Sequence, residues 1–259
     1  MVDGAVRFAV EGPVAIVTLD RPQKLNALTT PMLQALEEAA ASIDGDAAVR
    51  VAVLAGAGGR AFCAGADIEA WSGLAPLDMW RRWIRDGHRV FDRLARLRQP
   101  LIAAINGHAL GGGLELAAAA DFRIAEAHAK LGLPEVSIGI VPGWSGTQRL
   151  LRRAGAQAVR RLALTGELIS ADAARELGLL DEVVETGQSM KRARALAAVI
   201  ASRSPAAVQI AKTLINAAEG EEVACGIEGI AGALASFTDD AKEGVASFRE
   251  KRAPVFAGR

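Results

Sequence analysis

Residues 100–146 read PLIAAINGHALGGGLELAAAADFRIAEAHAKLGLPEVSIGIVPGWSG, and both the fold and the chemistry turn on this stretch. Leu101 to Ile105 is an apolar run of strand length, closed by Pro100 before it and by Asn106-Gly107 after it. Three glycines, Gly111 to Gly113, then open the apolar segment Leu114 to Ala120. Glycine suits the start of a helix better than its interior, because it lets backbone N–H groups come close to another group. One polar residue interrupts the apolar segment, and it is Glu115. Glu135 stands in similar company, between Pro134 and the apolar Val136, Ile138 and Ile140. An ionised carboxylate among such residues costs on the order of several kcal/mol or raises its pKa. Two of them point to an acid/base pair, and the glycine turn adds N–H groups suited to a developing oxyanion. The structural alternatives are Glu115 as a first-turn residue complementing the helix dipole and Glu135 in an exposed loop.

Bulk properties narrow the class. A chain of 259 residues, 51% apolar and 23% charged, suits one large domain, or one domain with a short appendage. Lys plus Arg and Asp plus Glu both total 30, which gives no argument for a nucleic-acid or acidic partner. Cys63 and Cys225 form no CxxC, and the even spacing of His88, His108 and His128 fits no metal motif, so neither a disulfide framework nor a metal site is indicated. The start MVDGAVRFAVEG lacks the basic and apolar regions of a secretory signal. The most apolar stretch, 101–120, is broken by Asn106, His108, glycines and Glu115, so it is no membrane span. A soluble, cytoplasmic protein is the expectation.

In chain order, residues 6–10 and 14–19 read as a hairpin across Glu11-Gly12-Pro13. Thr30 followed by Pro31 caps a helix over 31–43, and residues 49–54 make a buried strand. The glycine-rich loop AGAGGRAFCAGADIEA follows; its spacing fits neither a Walker A loop nor GxGxxG, and it suits a backbone donor to an oxyanion at least as well. Residues 70–97 read as helical, with Arg81, Arg82 and Arg85 beside Trp80 and Trp83 as an amphipathic face rather than a nucleic-acid patch. Residues 147–164 read as helices broken near Gly155, with Arg149, Arg152, Arg153, Arg160 and Arg161 on a solvated or anion-binding face. A short helix from Ser170 to Gly178, a strand at 181–184 and four further helices (189–202, 205–218, 221–236, 239–251) complete the chain. The helical tail has few strand partners and much apolar surface, so it is expected to pack on the core or on another subunit.

The segments AFCAGADI (61–68), AAINGHALGGGLELAAAADFRIA (103–125), LGLPEVSIGIVPG (131–143), GTQRL (146–150), LTGELISADAARELGLLDEVV (164–184) and KEGVASFREKR (242–252) resemble the crotonase superfamily, most closely enoyl-CoA hydratases. The resemblance runs over nearly the whole chain in order. It implies an α/β crotonase-like spiral of β-β-α repeats over residues 1–190 carrying an acyl-CoA site, with a C-terminal helical region, 191–259, used for trimerisation. It also implies homotrimers or hexamers built as dimers of trimers, and no cofactor beyond the coenzyme A carried by the substrate. In the family two backbone N–H groups hold the thioester enolate; the resemblance assigns these to Ala64 and Gly112. Glu115 is then the base that directs water onto Cβ, and Glu135 the acid that protonates Cα. Gly143 matches a glycine beside the catalytic water. Arg21, Lys24 and Ala27 match the stretch that contacts CoA, with Gly65, Ala66, Asp67 and Ile68 lining the substrate. Phe248 and Lys251 match tail residues that reach the nucleotide.

Trp144 and Ser145 depart from the family's small residues after Pro142-Gly143; Trp144 either fills the acyl pocket or points into the core. His108 also stands where other side chains are usual, and is read as a packing residue. The expected activity is syn addition of water to a trans-2-enoyl-CoA, in fatty acid metabolism. Isomerase, hydrolase, decarboxylase and dehalogenase reactions share the same oxyanion hole, and an RNA-binding relative or an inactive scaffold are the readings from other classes.

Overall fold

The computed structural model describes residues 5–259, without the side chains of residues 224 and 225, so residues 1–4 of the stretch read for a signal, and the Cys225 thiol, lie outside the described residues. The chain opens with the hairpin β1 (Ala5–Glu11) and β2 (Val14–Asp20), paired antiparallel from Ala5 opposite Asp20 to Glu11 opposite Val14. Helix α1 (Thr30–Gly45) follows, with buried Met32, Leu33, Leu36, Ala39, Ala40 and Ile43 at helical spacing. Its cap is Thr29, not the expected Thr30: Thr29 is extended and its hydroxyl accepts from Met32 N–H at 3.4 Å, while Thr30 already belongs to the helix.

Three turns of a spiral come next, each giving one strand to each of two sheets. The pairs are β3 (Val51–Gly56) with β4 (Ala61–Cys63), β5 (Leu101–Ile105) with β6 (His108–Leu110), and β7 (Phe122–Glu126) with β8 (Lys130–Gly132). The first strand of each pair joins a six-stranded sheet ordered β1-β2-β3-β5-β7-β10, and the second joins a four-stranded sheet ordered β4-β6-β8-β9. Parallel strands covered on both faces are apolar throughout, and every residue of β3 and β5 is buried. Alternate residues serve opposite faces. Val51, Val53, Ala55, Ile102 and Ala104 meet Ala193, Ala197 and Ala201, whereas Ala52, Leu54, Ala103 and Ile105 join the larger core with Leu36, Ile43 and Phe91.

Between β4 and β5 the expected continuous helix is broken into α2 (Ile68–Trp71), α3 (Pro76–Asp78), a π-helical turn (Met79–Ile84) and α4 (Arg85–Ala95). Arg81, Arg82 and Arg85 are exposed and Trp83 is buried, an amphipathic arrangement. α5 (Gly112–Ala118) follows β6, and a 3-10 turn (Pro134–Ile138) follows β8. α6 (Gly146–Thr165) is interrupted at Gly155, whose φ of 78° and ψ of 166° lie outside the helix. The unit is completed by β9 (Leu168–Ser170), α7 (Ala171–Glu176), β10 (Glu182–Val184) and α8 (Ser189–Ala201), which packs on β3, β5 and β7. This compact unit runs through Gln209 and includes α8.

The second unit spans Ile210–Arg259. It holds most of α9 (Pro205–Ala218), then α10 (Val223–Ser236) and α11 (Asp239–Glu250). The Thr238 hydroxyl caps α11 at Ala241 N–H, and the Arg252 guanidinium holds the Glu243 carboxyl down at about 2. Among the described residues no helix is long and apolar enough to cross a membrane.

Candidate active site

The site forms where the strand ends after β4 and β6 come together. Gly111, at φ 52°, turns the chain from β6 into α5, and the first N–H groups of that helix have no partner within it. The approach to β4 is close: a Cβ on Gly113 would lie 2.0 Å from the Cys63 carbonyl oxygen. One turn into α5, Glu115 is 2% exposed. Its Oε1 accepts from Trp144 N–H at 2.9 Å and Gly146 N–H at 3.0 Å, and Gly143 N–H also donates to the carboxylate. Burial pushes the Glu115 carboxyl above its ordinary value, opposed by these three donors and by the charge of Arg149.

Glu135 faces the same cavity from the 3-10 turn. A Cβ on Gly111 would sit 2.6 Å from its Oε1, so the carboxyl lies directly over the glycine turn. Among the described residues its buried Oε2 meets no hydrogen-bond partner. Burial pushes Glu135 up to about 7, helped by the nearby Glu115 charge and opposed by its own backbone N–H. The two carboxyls are therefore unlike. Glu115 is surrounded by donors that favour an anion, while Glu135 has the surroundings of a neutral acid.

The cavity measures about 660 Å³. Of the residues expected at the substrate, Ala64, Gly65, Ala66 and Ile68 line one side. Gly112, Gly143 and Trp144 line it with the two glutamates. The Ala64 N–H, expected as an oxyanion donor, instead donates to the Leu25 carbonyl at 3.0 Å. Two residues on, Ala66 offers an open N–H instead. Its nitrogen lies 3.5 Å from where a Cβ on Gly112 would stand, and among the described residues no acceptor takes either the Ala66 or the Gly112 N–H.

Arg21, Lys24, Ala27 and Asp67 stand outside the cavity wall. Arg21 is 1% exposed: its guanidinium binds Asp67 at 2.5 Å and the Ala27 carbonyl at 3.3 Å, bracing the loop that carries Ala66. Lys24 is exposed, 3.5 Å from Glu69. Phe248, 85% exposed, and Lys251 belong to the second unit. His108 lies on β6 and accepts the Lys130 N–H at 3.1 Å, a structural contact. Arg149 is buried and paired with Asp92 at 2.6 Å, so it is not on the solvated face where the pattern put it.

Two features escaped the sequence reading. Gly87, inside α4, is the seat of the Trp144 indole: a Cβ there would lie 2.0 Å from Nε1. Next to it His88 Nδ1 hydrogen-bonds the Ser145 hydroxyl, tying α4 to the loop that holds Glu115. Gly87→Ala is expected to cost about 1–3 kcal/mol by overpacking, and hence to lower Tm by roughly 2–12 °C, read by thermal unfolding.

The chain matches the enoyl-CoA hydratase/isomerase family over residues 9–259. It belongs to that family. The short-chain-enoyl-CoA hydratase of Clostridium acetobutylicum is 40% identical over 244 residues, covering 93% of each chain. The crotonyl-CoA hydratase of Syntrophomonas wolfei is 37% identical over 251 residues, covering 96% of each. A crystal structure of an enoyl-CoA hydratase from Bacillus anthracis superposes with a TM-score of 0.80 at 38% identity, over 99% of this chain and 100% of that one. The two-sheet spiral is thus the fold of hydratase/isomerase family enzymes, and an acyl-CoA thioester is the substrate that family membership implies. Among the described residues no group of three or more His, Cys, Asp or Glu is arranged to hold a metal ion.

Proposed function

We propose that the protein adds water across the double bond of a trans-2-enoyl-CoA, giving the 3-hydroxyacyl-CoA by syn addition. One observation carries the reading: two buried carboxyls share one cavity, one held by N–H donors and the other with an oxygen that meets no partner among the described residues. The thioester oxygen accepts from the N–H groups of Ala66 and Gly112, which stabilises the enolate as charge develops. Glu115 takes a proton from water as the water oxygen bonds to Cβ, and Glu135 gives a proton to Cα. After turnover Glu115 carries the proton and Glu135 the charge, and one proton exchange with solvent resets the pair. Coenzyme A enters as part of the substrate, and the scheme uses no separate cofactor. Lys24 is a proposed contact to its nucleotide, and Phe248 and Lys251 are proposed to reach the nucleotide held by a neighbouring subunit. The exposed apolar Ile227 and Leu234 of α10, with Phe237 just after it, suit a subunit interface in a homotrimer or hexamer. A cytoplasmic role in fatty acid metabolism fits this chemistry.

The test is Glu135→Gln. The acid must be protonated to act, so wild-type kcat/KM is expected to fall as pH rises through about 7, and the variant to lose at least about a hundredfold in kcat. The same substitution is expected to stabilise the fold. With the native carboxyl raised from 4.5 to about 7, the native state holds more protons than the unfolded chain between those values. Wild-type stability therefore falls as pH rises through that window, and glutamine escapes the penalty. Glu135→Gln should melt with wild type near pH 4.5 and be about 1–3 kcal/mol more stable at pH 8, after allowance for partial solvent access. A pH profile without the alkaline limb, or a variant retaining most of its rate, would remove Glu135 from the acid role.

A further inference from the structure

Residue 144 serves two purposes at once. Its backbone N–H donates to Glu115 Oε1 at 2.9 Å, so the main chain belongs to the catalytic machinery. The residue also lines the cavity, with its ring joined to the core behind the wall. The six-membered ring edge, Cε3 and Cζ3, lies 3.0 Å from where a Cβ on Gly112 would stand, covering the start of α5 beside Glu115. The five-membered ring lies flat on Gly87, with Nε1, Cδ1 and Cε2 2.0, 2.2 and 2.3 Å from the position of the missing Cβ.

The indole is also held in orientation. Its N–H donates to the Trp83 carbonyl at 3.3 Å, and its ring meets those of Trp83 and Phe91 at centroid separations of 5.2 Å. At 2% exposure, a hydrogen bond and two ring contacts hold the side chain in this orientation. A flexible apolar residue would yield to a longer ligand. This one does not.

We propose, building on the hydratase reading, that Trp144 is the specificity-determining residue of this enzyme: seated on Gly87, its indole plugs the cavity beside Glu115 and restricts the substrate to enoyl-CoA thioesters of short acyl chain. Gly87 is the complementary half of the device, because any larger residue in α4 would take the space the ring occupies. The space removed by the plug adjoins the reacting carbons, so acyl size is read where chemistry happens rather than at the cavity mouth.

The experiment measures kcat/KM for crotonyl-CoA and for trans-2-decenoyl-CoA with wild type, Trp144→Ala and Trp144→Phe. The quantity read is the ratio of the two, which does not depend on the fraction of folded enzyme, so a destabilised variant still reports. Wild type is expected to favour crotonyl-CoA. Trp144→Ala is expected to raise the decenoyl-to-crotonyl ratio by at least about thirtyfold, within the range that pocket methylenes contribute to discrimination. Trp144→Phe, which keeps a ring against Trp83 and Phe91, should fall between, and it carries the test if the alanine variant fails to fold. A second arm measures calorimetric binding of the saturated butyryl-CoA and decanoyl-CoA, which need no turnover. A shift in that binding preference with a wild type that hydrates neither enoyl-CoA would sustain the plug and overturn the hydratase reading. A ratio moving less than about twofold in both variants, or a wild type that prefers the ten-carbon substrate, overturns the plug.

Discussion

Glu115→Gln is expected to lower kcat for crotonyl-CoA hydration by about two to four orders of magnitude, with a much smaller change in KM. Glutamine keeps the shape of the side chain and an oxygen that can still accept the N–H groups of Trp144 and Gly146. What it loses is the ability to take a proton from water. Fold integrity should survive, because burial already penalises the charged carboxyl and an amide carries no such charge. The measurement is steady-state kinetics at saturating substrate beside a thermal melt of the same sample. A loss of less than about tenfold, with the melt unchanged, would remove the general base from Glu115.

The largest expected effect on stability is at Gly113. A Cβ there would meet the Cys63 carbonyl oxygen at 2.0 Å, its carbon at 2.7 Å and the Cys63 Cβ at 3.0 Å. Two of these are backbone atoms of β4, which cannot turn aside as a side-chain tip can, so α5 and β4 must part. Gly113→Ala should cost upwards of about 3 kcal/mol, a drop in Tm of 6 °C or more, or no soluble protein. Gly45→Ala is the matched control. Gly45 ends α1 with nothing within 4 Å of its missing Cβ, and that variant should melt within about 2 °C of wild type. Equal melting of the two variants would contradict the close approach of α5 to β4.

Long elements were legible in the chain and short ones were not. The hairpin at the start, α1, the break at Gly155 and the capped start of α7 at Ser170 follow from periodicity and from turn or cap residues. The strands of the four-stranded sheet hold three residues each, too few for an alternation to show, and only the spiral pairing reveals them. Both glutamates stood out as single charges in apolar surroundings. The proposed donor on the β4 side did not: preferring Ala66 to Ala64 requires knowing that the Ala64 N–H is spent on the Leu25 carbonyl. Arg149 misled for a physical reason: an arginine reads as solvated unless its partner is visible, and its partner, Asp92, lies 57 positions away in the chain. Gly87 carries no signal at all until the Trp144 ring is seen resting on it.

The most direct measurement follows crotonyl-CoA at its enoyl-thioester absorbance in the presence of the unmodified protein, with the product identified by mass. Rapid loss of absorbance and a product heavier by one water is the predicted result. A folded protein that binds CoA thioesters yet leaves crotonyl-CoA and its longer homologues unhydrated would contradict the account.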